Sequence, residues 1–405
     1  MVQIPTRPFI RHLSLLFILS VGFLTLYQLS PPLPFLSLRS SEHLQKNNYL
    51  ESVVRDAHRI LSHKADQFDV VSAQDVLGLS LGNTTYEGYL SDLTTTYYDF
   101  FAPTNSALIE ITLLRNVLDH LSLLSMGKSQ QLPKYIYTTD SRPPAEIPSQ
   151  FKTWIDQNPG WLSMYVSDDE IERWLQRTFT RGENVVEEIL SLKDDLGVVK
   201  ADLFRYLVLL LNGGSYTDTD TACIKPIEEW TREYDIAVVD PLVAALPTLA
   251  RLAQPKVEEH EDEDMDEDEE PALVIALEND VLYDGGDWRQ QTFARGIQIV
   301  QWTLLAKPNH PVMLDVLGRG LSKAKMSRLE GITQRSENIL DWTGPGVFTD
   351  AVLRYLLVRY GVLPQQISGM TRPLRIGDVV IMPLHSFRAD ASEGDQGPFR
   401  VVWHG

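Results

Sequence analysis

Residues 200–220 read KADLFRYLVLLLNGGSYTDTD, and their reading decides the fold. An apolar run with helical spacing covers 199–211, and Gly213-Gly214 stops it. A short extended segment with Tyr216 follows, then Asp218 and Asp220 with one residue between them. Asp202 and Arg205 stand three apart in the helical run and so share a face. In an extended segment, side chains at i and i+2 fall on one side. Two carboxylates so placed suit one divalent cation and leave its other positions to phosphate oxygens. Such a cation neutralises a diphosphate leaving group. Arg205 would add positive charge there, and Asp202 an acceptor for sugar hydroxyls. A bare Asp-x-Asp is common by chance, and Asp202 with Arg205 is equally the pattern of a surface ion pair. What carries weight is the order: Asp and Arg on a helix, two glycines, an aromatic residue, then the acidic pair.

Outward from this unit, apolar β-rich runs occur at 135–138, 162–166, 236–239, 273–277 and 379–382. Helical patterns lie between them. Ser167-Asp168-Asp169-Glu170 has capping-box spacing. Residues 291–306 read as a further helix ended by Pro308, and 350–360 as another stopped by Gly361. This alternation predicts an α/β domain, a mostly parallel sheet covered by helices. No internal repeat is present.

The 405 residues are 43% hydrophobic and 22% charged, which excludes wholesale disorder. One cysteine, Cys223, excludes an intramolecular disulfide and a cysteine-based zinc cluster. It is read as a small packed residue. The net charge of −19 argues against a nucleic-acid partner. Eleven acidic residues fall in 258–270, EEHEDEDMDEDEE, and without them the charge is about −8, ordinary for this size. The acidic insertion, 255–271, is expected to be a solvated loop.

Residues 13–29 are free of charge, LSLLFILSVGFLTLYQL, with Arg7, Arg11 and His12 before them. As a helix this run would be about 25 Å long, close to a bilayer's hydrocarbon core. It is read as a transmembrane signal-anchor, with 1–12 as a cytosolic tail; a cleaved signal peptide and a buried helix are the alternatives. Residues 30–105, polar and weakly periodic, are expected to form a luminal stem, and 106–405 the catalytic domain. Asn83-Thr84-Thr85 would then be a usable glycosylation sequon.

The 202–220 unit resembles the signature of retaining glycosyltransferases of the GT-A type, a Rossmann-like mixed sheet that binds a nucleotide sugar. More narrowly, the chain resembles glycosyltransferase family 32, the fungal initiation-specific α-1,6-mannosyltransferases of the Golgi. LPKYIYTT at 132–139, NPGWLSMYVSDDE at 158–170, ARGIQIVQWTLLAKPNHPVM at 294–313 and TGPGVFTDAV at 343–352 carry the resemblance. It departs from the family at Ile136-Tyr137-Thr138, and no Gly-Ser-Trp element follows His404. The resemblance implies GDP-mannose as donor, a mannose of a protein-linked N-glycan as acceptor, and Mn²⁺ or another divalent cation. It also implies a single-pass type II protein of the Golgi membrane, with mannosyltransferase complex partners. Asp218, Asp220, Asp202 and Arg205 would be catalytic, with His404 joining the acidic pair at the metal. Tyr216, Glu278 and Asp280 would line the sugar site. Thr343, Gly344 and Gly346 would bring backbone amides to a phosphate or the acceptor; a simple helix-starting turn is the other reading. Two functions stay open beside this one: an inositol-phosphoceramide mannosyltransferase, and an inactive paralogue that scaffolds a complex.

Overall fold

The computed structural model describes residues 41–102, 111–124, 131–179, 184–192, 196–253, 270–330, 338–388 and 398–404. The expected tail, the span at 13–29 and the acidic insertion up to 269 lie outside them. Among the described residues no helix is long and apolar enough to cross a membrane. The chain divides into two units, Met1–Glu51 and Ser52–Gly405. The site lies in the second, and the rest concerns that unit.

Its strands are β1 (Tyr135–Asp140), β2 (Leu162–Ser167), β3 (Gly214–Thr217), β4 (Thr221–Cys223), β5 (Asp235–Ile236), β6 (Leu273–Asp280), β7 (Ile297–Ile299), β8 (Thr303–Ala306), β9 (Leu374–Ile376), β10 (Val379–Met382), β11 (Phe387–Arg388) and β12 (Val402–His404). The main sheet has the order β2-β1-β3-β8-β6-β10-β9-β5, with β7 also paired to β6, and β11-β12-β4 form a small second sheet. β1 is parallel to β2 and β3, and β6 to β10. β8 enters antiparallel between β3 and β6. The sheet is therefore mixed rather than mostly parallel.

The cause of that difference is residues 291–306, which fold as β7 and β8 and not as a helix. The run IQIVQWTLLA is buried at every position. A strand covered on both faces shows neither a helical nor an alternating period. Helices cover one face of the sheet, where Leu273, Ile275 and Leu277 of β6 join the large apolar core. Val274 and Ala276, between them, point into a second core built on Trp154, Trp230 and Trp302. The helix Gly197–Asn212 lies in the large core and ends as expected at Gly213, whose N–H bonds to the carbonyl of Leu209. Gly213 and Gly214 have φ of 66° and 107°. A Cβ on Gly213 would come within 2.6 Å of the Pro308 ring, and one on Gly214 within 2.8 Å of the Tyr135 carbonyl. Only glycines turn the chain from helix to β3 in so little space.

Over its described part, the expected stem is no spacer. Residues 52–66 complete a helix that begins at Ser41, and the helices Val70–Leu77 and Tyr86–Thr96 follow. The stretch TTTYYDFF, which has no clear helical pattern, continues the last of these as a π-turn, Tyr97–Phe101. Leu77, Tyr89, Leu93, Tyr97, Phe100 and Phe101 are all buried in the large core. The helix Tyr86–Thr96 packs on the helices Pro311–Glu330 and Pro345–Tyr360, the second of which is buried along nearly its whole length. That helix carries charges into the contact. Asp350 accepts the N–H of Ser80 at 3.0 Å, and Arg354 donates to the carbonyl of Asn83 at 2.7 Å and pairs with Asp315 at 3.3 Å. Buried charges need such partners, and the main chain of this segment supplies them.

At the β9–β10 turn, Asp378 accepts hydrogen bonds from the hydroxyls of Tyr355 (3.0 Å) and Tyr360 (2.7 Å), with His310 and His120 at 3.5 and 3.8 Å. Burial opposes its charge, but the facing histidines hold its carboxyl well below the usual range. Burial also lowers His310, which is structural. A depressed carboxyl adds stability that is complete above its unfolded pKa and is lost as pH falls through the folded value. Asp378→Asn should therefore cost about 1–3 kcal/mol at pH 7 by urea unfolding, and the gap to wild type should narrow as pH drops below about 4.

Candidate functional site

Asp218 directly follows β3, and its N–H donates to the carbonyl of Trp302 at 3.0 Å. The turn after it is pinned from below. Thr217 shares hydrogen bonds of 2.7 Å with Thr221 and Thr303, Thr221 also donates to the Asp218 carbonyl, and the Trp154 indole donates to Thr221 at 2.9 Å. A buried hydroxyl network of this kind fixes the direction of the acidic pair.

Arg205 stands behind the pair, its side chain 4% exposed. It donates to Asp218 at 2.8 Å and lies 3.2 Å from Asp202. Its guanidinium rests over the ring of Tyr216 at 4.6 Å, a cation–π contact in a dry setting. Burial works against its charge, and Asp218, Tyr216 and Asp202 more than restore it. Asp202 is closed to a sugar by burial: it is 2% exposed, and its oxygens face inward, one accepting from Gln301 at 3.1 Å and the other from Thr343 at 2.8 Å. Its expected role as a hydroxyl acceptor gives way to that of a buried anchor. Burial raises its pKa, opposed by Arg205. Tyr216 is likewise 1% exposed and shares a hydrogen bond with Thr139, so it supports Arg205 rather than lining the sugar site.

Asp218 and Asp220 remain open, with side chains 31% and 47% exposed. β12 pairs antiparallel with β4 and sets His404 opposite Thr221. His404 Nε2 then lies 3.3 Å from Asp220 Oδ2, and its ring stacks on Trp302 with centroids 4.6 Å apart. That hydrogen bond lowers Asp220 and raises His404. Burial raises Asp218. At the end of β6, Glu278 accepts from Trp302 at 3.1 Å and from Gln298 at 2.7 Å, and burial raises its pKa.

Among the described residues no group of three or more His, Cys, Asp or Glu forms a ready cluster for a metal ion. The donor set still fits one. Asp220 Oδ1 is buried and has no hydrogen-bond partner, a state that costs free energy unless a ligand relieves it. Two carboxylates, one already balanced by Arg205, match hard cations that take one or two protein oxygens and complete their shell from phosphate. His404 as it stands donates to Asp220; as a metal ligand it would first give up that proton.

The other expected residues fall elsewhere. Asp280 accepts from Ser368 at 2.9 Å and from the N–H of Gly369 at 2.8 Å, and so tethers a loop. Gly344 and Gly346 start the helix Pro345–Tyr360, but a Cβ on either would come within 2.9 Å of Leu340. They allow close packing and offer no amide cradle. Thr343 belongs to the site only through Asp202. Cys223 is buried, as expected, and burial pushes its thiol up to about 11.

Sequence reasoning missed two contributors, Gln301 and Arg142, and took Trp302 for a core residue, which it also is. Gln301 and Trp302 precede Thr303, which pairs with Thr217, so the register of β3 and β8 sets them beside Asp218. A helical reading of 291–306 hides that register. Arg142, just after β1, donates to Thr219 at 3.1 Å and to Asp140 at 3.0 Å. Burial opposes the Asp140 charge, yet Arg142 and Thr219 bring its carboxyl down to about 2. β1 runs parallel beside β3, and that adjacency was the signal available.

Residues 144–237 match the family described as glycosyltransferase sugar-binding region containing DXD motif. The initiation-specific α-1,6-mannosyltransferase of Schizosaccharomyces pombe is 29% identical over 283 residues, 67% of this chain and 62% of that protein. The enzymes of the same name from Candida albicans and Saccharomyces cerevisiae are each 26% identical, covering 66% and 61% of this chain and 68% and 60% of theirs. A solved structure, the PaToxG glycosyltransferase, aligns with a TM-score of 0.32 at 12% identity, over 61% of this chain and 78% of that one. The family match and the relatives bear out the resemblance to glycosyltransferase family 32.

Arg205 and Asp218 differ in burial, at 4% and 31% side-chain exposure, and their replacement should differ in cost. Arg205→Met leaves Asp202 buried without its counter-ion and should lower stability by about 3–5 kcal/mol in urea unfolding. Asp218→Asn, at a partly solvated position, should cost less than about 1 kcal/mol in the same measurement.

Proposed function

We propose that this chain is a hexosyltransferase of the GT-A type, a mannosyltransferase that moves mannose from GDP-mannose to a mannose of a protein-linked N-glycan with retention of configuration. The observation that carries the reading is the pair Asp218 and Asp220, open at the end of β3, braced by Arg205 and leaving Asp220 Oδ1 unpaired. The names of the relatives support mannose as the transferred sugar. The apolar run at 13–29 supports a signal-anchor that sets the catalytic body in the Golgi lumen.

Asp218 and Asp220 would hold Mn²⁺ or another divalent cation, which supplies positive charge to the diphosphate as the sugar leaves. The chain's own residues prepare that place. Asp202, Asp218 and Asp220 face one guanidinium and one imidazole, so the local balance stays negative and draws a cation. Arg205 keeps Asp218 from repelling Asp220. The hydroxyl network under the turn fixes both carboxylates before any ligand arrives, so little reorganisation remains for the reaction. Glu278, held by Trp302 and Gln298, has further acceptor capacity for a sugar hydroxyl. Trp302 excludes water from below His404.

The test is release of GDP from GDP-mannose by the full-length chain, with Mn²⁺ or with a chelator, followed by linkage analysis on a mannose-rich oligosaccharide. Asp218→Ala and Asp220→Ala should each lower the metal-dependent rate about a hundredfold or more, with circular dichroism unchanged. Full activity in both variants would sink the assignment, and transfer to inositol phosphoceramide instead of the glycan would replace the acceptor.

A further inference from the structure

A cavity of about 630 Å³ opens between the helix Val70–Leu77, the 288–295 loop, the helix Pro311–Glu330 and the start of the helix Pro345–Tyr360. Asp218, Asp220 and His404 do not line it. The volume falls within the range of about 300–1,000 Å³ usual for small-molecule sites.

Its chemistry is selective. Four cations line it, Arg289, Arg295, Arg319 and Lys323, and none of them is without a partner in the protein; Arg289 donates to the carbonyl of Asp75 at 2.8 Å. Arg295 bonds Asp350 at 3.0 and 2.8 Å and Asp341 at 2.5 Å. Arg319 bonds Asp315 at 2.8 Å and the carbonyls of Ser80 and Leu81 at 2.8 and 2.6 Å. Saturated donors beside carboxylates make a poor trap for an anion. What the cavity does offer is flat and amphipathic. Phe293, half-buried, and Trp288, whose indole is covered by the Arg289 guanidinium at 4.1 Å, line one wall, and the exposed amide of Gln74 stands beside them, while Asn338 is spent on Asp341 and the N–H of Leu340. An aromatic ring, a stacked guanidinium plane and an exposed amide suit a ligand that is neutral, rich in hydroxyls and apolar on the faces of its own rings.

Two hydrogen-bonded relays join this cavity to the acidic pair. Trp342 lines the cavity, and the next residue, Thr343, donates to Asp202, which neighbours Arg205 and through it Asp218. On the other side, the N–H groups of Ala294 and Arg295 donate to Gln298 Oε1 at 2.7 and 3.1 Å, and Gln298 Nε2 donates to Glu278 at 2.7 Å. Cavity wall and sugar site are therefore fixed relative to each other by short, buried contacts.

We propose that this cavity is a second subsite, which holds a remote arm of a branched oligosaccharide acceptor while another residue of the same glycan lies at Glu278. This rests on the proposed function, and it adds the means by which a large glycan would be told from a single mannoside. A contact made equally in the ground state and the transition state lowers KM without raising kcat, and the subsite is proposed to act in that way.

The test uses the full-length chain and a mannose-rich oligosaccharide. Binding is read by calorimetry in Asp220→Ala, so that turnover does not interfere. Gln74→Trp, on an exposed helix position, fills the cavity from its rim, and Arg289→Ala removes the stacked guanidinium. In that background each should weaken oligosaccharide binding about tenfold, and in the active chain each should raise KM for the branched acceptor about tenfold with the rise confined to KM. A single α-mannoside should show no such rise, and melting temperatures should match the parent chain. Unchanged affinity in both variants overturns the subsite, and so does inorganic phosphate that competes with the glycan for the cavity. If the unsubstituted chain transfers no mannose but glycan binding remains sensitive to Gln74→Trp, the mannosyltransferase reading fails and the subsite stands. If transfer persists and KM ignores both variants, the subsite alone fails.

Discussion

Arg205 between Asp202 and Asp218 is the contact on which the site depends. A guanidinium this deeply buried is tolerated only with its charge matched and its plane supported. The structure does both, with a carboxylate on either side and the Tyr216 ring below. The two carboxylates then divide the work. Asp202 is sealed and spends its oxygens on Gln301 and Thr343, which ties the helix Gly197–Asn212 to β8 and to the start of the helix Pro345–Tyr360. Asp218 keeps a solvated side and is left to a ligand. A single arginine thus links a rigid anchor to an open binding group.

The second carboxylate is governed from far along the chain. Asp220 has its histidine only because β12 returns to pair with β4, against Cys223, Ala222 and Thr221. The Trp302 ring under His404 belongs to neither strand, so three distant segments converge on one imidazole. Such convergence is long-range in sequence and cannot be held by local propensity. It is held by the second core, where Val402, Trp302, Phe387 and Trp230 pack together.

The unit 202–220 was legible because its signals are local: helical spacing, two glycines with positive φ, and an i, i+2 acidic pair. The strand at 273–280 and the capping box at 167–170 were legible for the same reason. What stayed hidden depends on register or on burial of polar groups. Gln301 and Trp302 gain their meaning from pairing with β3, and the continuous apolar run that contains them shows no period. Asp202, Tyr216, Gly344 and Gly346 have the right residue types for ligand contact, and only their burial assigns them to support. Sequence spacing can say that two groups share a face; it does not say which side of that face the solvent is on.

The same distinction bears on residues 52–102. Residues 52–102 look like a spacer because their composition is polar, and hydropathy alone treats polar chain as solvated. What hydropathy does not register is the main chain, which here is spent on the buried charges of the helix Pro345–Tyr360 and on Arg319: the N–H of Ser80 on Asp350, the carbonyls of Ser80 and Leu81 on Arg319, and the carbonyl of Asn83 on Arg354. Without this segment those charges would stay buried with fewer partners, at a cost of about 1–3 kcal/mol for each group left unpaired. The aromatic residues Tyr89, Tyr97, Phe100 and Phe101 would at the same time leave the large core uncovered. Asp350 also orients Arg295, and the helix that carries it begins two residues after Thr343, the partner of Asp202. The cover is therefore coupled to the acidic pair through one helix, and residues 52–102 fall in the same compact unit as the site.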